Sequence, residues 1–189
     1  MNHIKKHDTI KQATTTLLAG GVIAYPTEAV YGLGCDPFNE QAVRKLLFLK
    51  KRSPDKGLIL IAHSWQAVSH LVLPLPRKLL DRVLKTWPGP ITWVFPACIA
   101  IVPKWLRGRH SSIAIRITAH KLAHTLCKEF GKPIVSTSAN IEGKQPARTE
   151  EEVRKQFPTG IDYILTGTTD LLTKPTPIYG VLNNNIIRQ

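Results

Sequence analysis

The chain has 189 residues, 43% of them hydrophobic, which is enough apolar material for one core without disulfides or a structural metal. Its 26 lysines and arginines against 13 acidic residues leave a formal charge of +13, which predicts anionic partners: nucleotide, nucleic acid or an acidic membrane surface. No run approaches the roughly 18 consecutive apolar residues of a membrane-spanning helix, Met1–Lys11 lacks the apolar core of a signal peptide, and Cys35, Cys98 and Cys127 are too widely spaced for a disulfide framework or a zinc knuckle. A cytoplasmic protein with reduced cysteines and no membrane partner is expected.

In chain order, the 3.6-residue spacing of Ile10, Ala13 and Leu17 predicts a helix over Asp8–Gly20, followed by a strand at Val22–Tyr25. Val43, Leu46 and Leu47 predict a helix over Glu40–Lys51, and Leu58–Ala62 a strand. A helix over Pro76–Lys85 and strands at Ile91–Phe95 and Ser112–Thr118 come next, then a helix over Lys121–Phe130 and a strand at Pro133–Ser136. Thr149 and Glu152 have capping-box spacing ahead of a short helix that offers Val153 and Phe157 as its apolar face. Strands at Ile161–Leu165, Ile178–Leu182 and Ile186–Arg188 complete the chain.

Interleaved helices and strands ordinarily give a parallel sheet, but only Asn183–Asn185 separate the last two strands, a hairpin-length connection. The expected fold is therefore α/β, a mixed open sheet with flanking helices. No linker, repeat or low-complexity tract divides it, so residues 1–189 read as a single domain. In Ser112-Ile113-Ala114-Ile115-Arg116-Ile117 the isoleucines share one face and Ser112, Ala114 and Arg116 the other. Two readings of Arg116 stand: a solvated outer face, or a ligand contact for which small neighbours make room.

The known phosphate loops are missing. There is no G-x-x-x-x-G-K-[ST], and Gly32-Leu33-Gly34 lacks a third glycine and runs into Asp36-Pro37 instead of a helix. His120 and His124 have zinc-ligand spacing, but Lys121 stands where a zinc protease needs its glutamate, and they read as surface histidines. Ser136 and Ser138 lack the G-x-S-x-G elbow of a hydrolase.

Four clusters carry more polar groups than a structural loop needs. Tyr25-Pro26-Thr27-Glu28 through Gly34 places Thr27, Glu28 and Tyr31 near a strand end, where open sheets bind ligands. Lys50-Lys51-Arg52-Ser53-Pro54-Asp55-Lys56 holds more cations than helix capping requires. Trp87-Pro88-Gly89-Pro90-Ile91-Thr92 is a rigid turn, followed by Arg107-Gly108-Arg109. Between Lys56 and Lys128 the sole acid is Asp81, so these arginines favour an external anion. Ser136-Thr137-Ser138-Ala139-Asn140, with Gly143 and Arg148 beyond, offers donors and acceptors for phosphate, ribose or an amino-acid head group, or simply forms a hydroxyl-rich turn.

Taken together and in order, these motifs, with Ile113-Ala114-Ile115-Arg116, resemble the YrdC/TsaC family of threonylcarbamoyl-adenylate synthases over nearly the whole chain. Ala29 departs from the family pattern, which usually has Thr or Ser there, so no hydroxyl is available at that position. The length is similar to the short bacterial form without the extra C-terminal domain of longer relatives. The resemblance implies a twisted α/β sheet with a concave basic cavity. It also implies a reaction in which L-threonine, bicarbonate and ATP, with Mg²⁺ carried on the nucleotide, give threonylcarbamoyl-adenylate and pyrophosphate for the t6A modification of transfer RNA. Proteins of the TsaD, TsaB and TsaE type are implied as partners for the transfer step.

That chemistry forces a carbamate anion onto an anionic triphosphate. At about 4 Å and an effective dielectric near 20, each unit-charge repulsion is about 4 kcal/mol, which cationic clamps must offset. Lys50 and Arg52 are accordingly the catalytic candidates, set against phosphates and carbamate together with Lys56. Thr27, Ser136 and Arg116 are the candidates for threonine, with Arg116 serving its carboxylate or a phosphate, and Ser138, Asn140 and Arg148 for the AMP part. No side chain is assigned to a metal. A plain RNA-binding protein is the main alternative, although no RNA-binding module is recognisable, and nonspecific RNA binding to a basic rim at Arg107 and Arg109 is compatible with either reading. A carbamoyl-transferring or hydrolytic enzyme would keep the same residues and change the substrates.

Overall fold

The first strand, β1 (Ile23–Pro26), is buried throughout, so both of its faces need cover. The computed structural model, which describes residues 2–170, 172 and 176–188, supplies helices for this. Alternate residues point to opposite faces: Ile23 and Tyr25 join one apolar cluster, Val22 and Ala24 another. The first cluster is built on α1 (Asn2–Leu18) and α5 (Lys121–Phe130) through Ile10, Ala13, Leu17, Leu122, Leu126 and Phe130. The second gathers α2 (Glu40–Lys50), α3 (Arg77–Leu84), α4 (Lys104–Arg107) and α6 (Glu150–Gln156) through Val43, Leu46, Val83, Leu106 and Val153.

Between them runs a nine-stranded mixed sheet in the order β7-β1-β2-β6-β3-β5-β4-β8-β9. The remaining strands are β2 (Tyr31–Gly34), β3 (Ile59–Ala62), β4 (Thr92–Pro96), β5 (Ser112–Ile117), β6 (Ile134–Ser138), β7 (Tyr163–Ile164), β8 (Ile178–Gly180) and β9 (Ile186–Arg188). Three neighbouring pairs are parallel, β1/β7, β3/β5 and β4/β8, and the others antiparallel, including the β8/β9 hairpin expected from its short connection.

The helices follow their signals. Asn39 caps α2 by accepting from Ala42 N–H at 3.1 Å, and Thr149 caps α6 by accepting from Glu152 N–H at 3.2 Å. The Glu152 carboxylate returns to Arg148 N–H at 2.6 Å, one residue before the position a reciprocal capping box would use. Two expectations change. Tyr31–Gly34, read as part of a loop, is strand β2, because backbone pairing to β1 and β6 outweighs two glycines. Gly34 is required there by close approach: a Cβ would lie 2.6 Å from Val135 O. His120 is not a surface histidine. It is buried as the N-cap of α5, with Nδ1 accepting from Ala123 N–H at 3.3 Å, which leaves Nε2 to donate to Thr168 O at 3.0 Å.

Candidate functional site

The register of the central strands builds the site. Gly32 of β2 faces Ser138 of β6, and Ser136 of β6 faces Ile59 of β3, which in turn faces Ala114 of β5. Residues opposite one another share a face, as do residues two apart along a strand, so Gly32, Ser136, Ser138, Ile59, Ala114 and Arg116 present one continuous surface. Four of these are glycine, serine or alanine, and the sheet is hollow where they meet. A cavity of about 370 Å³ lies there. It is lined by six of the residues singled out from sequence, namely Thr27, Arg52, Arg116, Ser136, Ser138 and Arg148. Gly32 keeps it open, since a Cβ at that position would stand 3.3 Å from Thr27 Cγ2 and 3.5 Å from Ser136 Oγ.

Arg116 lies inside the cavity wall at 5% exposure, which removes the reading of a solvated outer face. Its Nη1 donates to the hydroxyls of Thr176 at 3.0 Å and Thr92 at 3.4 Å, and its Nη2 lies 3.3 Å from the buried Glu28 carboxylate. Thr92 is thus what the Trp87–Thr92 motif contributes, while Trp87 stacks in the core against Trp65 and Phe95. Thr27 folds its own turn, with Oγ1 donating to Val30 O at 2.7 Å.

Arg52 follows Lys51, which ends α2 in the left-handed region at φ 51°. Its Nη2 donates to Gly57 O at 2.9 Å, its Nε is buried without a partner, and burial lowers its pKa. Lys50 and Asn140 stand behind the wall and not among the residues lining the cavity. The buried Lys50 ammonium donates to the carbonyl oxygens of Ser138 and Asn140, the latter at 2.8 Å. Burial, and after it the Arg52 charge, push its pKa down to about 8. Asn140 accepts from Ser138 Oγ at 2.6 Å and donates to Ile141 O and Lys144 O at 3.0 and 2.9 Å. These two residues shape the end of β6.

A smaller annex of about 230 Å³ adjoins the cavity and shares Arg52, Leu58, Ile59 and Arg188 with it. Lys56, Arg107 and His110 line this annex, with Lys56 also paired to Glu142. Among the described residues, no aspartate or glutamate lines the cavity or the annex. Sequence reasoning missed Arg188, Thr176 and Gln145. Arg188 is visible in sequence only as a cation ending a strand. The β8/β9 hairpin carries it to the cavity, where burial and the charges of Arg116 and Arg52 lower its pKa. A larger apolar groove of about 970 Å³ on the far side of Arg52 holds none of the other predicted site residues.

No helix among the described residues is long and apolar enough to cross a membrane, and no group of three or more His, Cys, Asp or Glu is placed to hold a metal ion.

Residues 15–189 match the Sua5/YciO/YrdC family model, described as "Telomere recombination". Proteins named threonylcarbamoyl-AMP synthase from Coxiella burnetii and Methylococcus capsulatus are 52% and 50% identical over 180 and 179 residues, 95% of this chain and 96% of each relative. The solved structure of H234A/Y235A P. abyssi Sua5 superposes with a TM-score of 0.90 at 29% identity, covering 95% of this chain and 55% of that one. P. abyssi Sua5 complexed with L-threonine gives 0.85 at 30% identity, covering 90% and 50%. The chain thus spans about half the length of the P. abyssi protein and nearly all of the bacterial relatives, and it belongs to the Sua5/YciO/YrdC family.

Proposed function

We propose that the chain is an L-threonylcarbamoyladenylate synthase, a nucleotidyltransferase that converts L-threonine, bicarbonate and ATP to threonylcarbamoyl-AMP, pyrophosphate and water. The observation that carries this reading is a cavity combining Thr, Ser and Arg side chains with no lining carboxylate among the described residues, continuous with a cationic annex. A polyanionic substrate would neutralise that charge, and hydroxyls beside it suit an amino acid. The names of the bacterial relatives and the L-threonine complex of P. abyssi Sua5 point the same way.

In this reading Thr27 and Ser136 hold threonine, and Arg116 takes its carboxylate. The threonine amine combines with bicarbonate, losing water, to give a carbamate. A carbamate oxygen then attacks the α-phosphorus, and the bond to the bridging oxygen breaks so that pyrophosphate leaves with the electron pair. Arg52 clamps phosphate and carbamate. Lys50, its protons committed to two carbonyls, contributes charge and the placement of Ser138. The leaving phosphates lie toward Lys56 and Arg188 in the annex, and Ser138, Asn140 and Arg148 shape the AMP side. No covalent nucleophile is required, because positioning and charge compensation lower the barrier. Among the described residues the cavity would offer Mg²⁺ hydroxyls and no carboxylate, so the triphosphate and water would be its ligands. The product would pass, in the cytoplasm, to TsaD-, TsaB- and TsaE-type proteins for t6A formation.

The test is incubation of purified protein with ATP, Mg²⁺, bicarbonate and labelled L-threonine, with mass-spectrometric detection of the adenylate. Product should form only when all three substrates are present. ATP turnover that ignores threonine would contradict the reading.

A further inference from the structure

Glu28 is 2% exposed, yet it carries a carboxylate for which burial alone is costly. Its Oε1 accepts from Thr118 Oγ1 at 2.7 Å and from Ala119 N–H at 3.2 Å. Its Oε2 has no hydrogen-bond partner and faces Arg116 Nη2 at 3.3 Å. Arg116 in turn has a buried Nε without a partner, and the hydroxyls of Thr92 and Thr176 fix its other terminal nitrogen. Glu28 does not itself line the cavity; Thr27 before it and Ala29 after it do.

Two features separate this from an ordinary internal ion pair. First, the pair is only partly satisfied: an orphan oxygen and an orphan nitrogen remain on the two partners, the pattern of a group held for use and not of a closed structural network. Secondly, Glu28 reaches from the β1–β2 turn to the end of β5 and the entry to α5. It thereby ties the turn that carries Thr27 to the strand that carries Arg116. Threonine in the proposed site touches both of those residues, so their relative placement decides how well its hydroxyl-bearing end and its carboxylate are received together.

We infer that Glu28 is a positioning residue for threonine, acting through Arg116, whose guanidinium it aims at the substrate carboxylate. The inference rests on the functional reading above. A neutral side chain at position 28 would leave Arg116 as a buried cation held only by hydroxyls, free to turn away from the cavity, while the nucleotide contacts at Arg52 and Arg188 stay in place.

The test is a double-mutant cycle of Glu28→Gln and Arg116→Met, measuring KM for L-threonine and for ATP separately together with kcat. Each single change should raise the threonine KM tenfold or more and move the ATP KM by less than about threefold. The double variant should be no worse than Arg116→Met alone, because two residues acting as one unit are not additive. Glu28→Asp, which keeps the charge on a shorter arm, should recover part of the threonine KM, and it takes the place of Glu28→Gln in the cycle if the glutamine variant does not fold. Multiplying losses, or a lower Tm with unchanged kinetic constants, would overturn the inference while leaving the functional reading intact. A wild-type protein that makes no adenylate would overturn both.

Discussion

Arg52 sits where three surfaces meet: the cavity, its annex and the apolar groove beyond α2. It does not cap the helix, because Lys51 occupies that position, and its Nη2 donates forward to Gly57 O. Arg52→Ala should therefore cost about 1.5–3 kcal/mol of stability for one charged hydrogen bond, but lower adenylate synthesis by a hundredfold or more. Arg52→Lys should recover only part of that activity, since an ammonium cannot grip two oxygens in a plane. Melting curves beside steady-state kinetics check both. Glu28 makes a pH prediction. Burial raises the Glu28 carboxyl, but the nearby Arg116 charge and the Thr118 hydroxyl outweigh it and hold it below the usual 4.5. A carboxylate whose pKa falls on folding stabilises fully above its unfolded value, and loses that contribution as pH drops through the folded one. The stability gap between wild type and Glu28→Gln, read from urea midpoints, should be constant above pH 5 and shrink below pH 4.5. A gap that widened on acidification would contradict this sign.

At the scale of elements, the end of β6 matters most. Asn140 spends its side-chain amide on Ser138, Ile141 and Lys144, Lys50 holds the carbonyls of residues 138 and 140, and Gln156 of α6 donates to Gln145 O at 2.8 Å. The loop that carries Gln145 and Pro146 into the cavity is thus tied to α2 and α6. Asn140→Ala should destabilise the protein by about 1–3 kcal/mol, the cost of stranding partly buried partners, and should raise KM for ATP through a loosened loop. Hydrogen exchange confined to residues 138–146 would check it, and unchanged protection there would contradict it. These ties also show what the sequence carries and what it does not. The helical periods of α2 and α5 and the alternation of β5 are local, and the structure keeps their boundaries within a residue or so. Strand β2 is decided by pairing with β6, about a hundred residues away, and α4 is four residues long, too short for a period. Thr27, Arg52, Arg116, Ser136, Ser138 and Arg148 were legible because each stands in a dense local motif. Arg188 and Thr176 were not, because only the tertiary pairing of β8 and β9 gives them a place. Lys50 and Asn140 read as ligand contacts in sequence, where a side chain supporting the wall and one facing the cavity look alike.

For the whole molecule, a surplus of 13 positive charges exceeds what a single cavity uses. RNA binding, where it occurs, should be diffuse and electrostatic, so its affinity should fall steeply between 50 and 200 mM salt, as expected for counterion release. It should show little sequence preference. A sequence-specific complex insensitive to salt would instead favour a dedicated RNA-binding role, although that role would leave the interior placement of Arg116 and the hydroxyls around it unexplained.

If this cavity joins threonylcarbamate to the AMP moiety of ATP reversibly, labelled pyrophosphate should exchange into ATP. That exchange should require L-threonine and bicarbonate together and be lost in Arg52→Ala. Exchange without threonine, or none with all components and Mg²⁺ present, would contradict it.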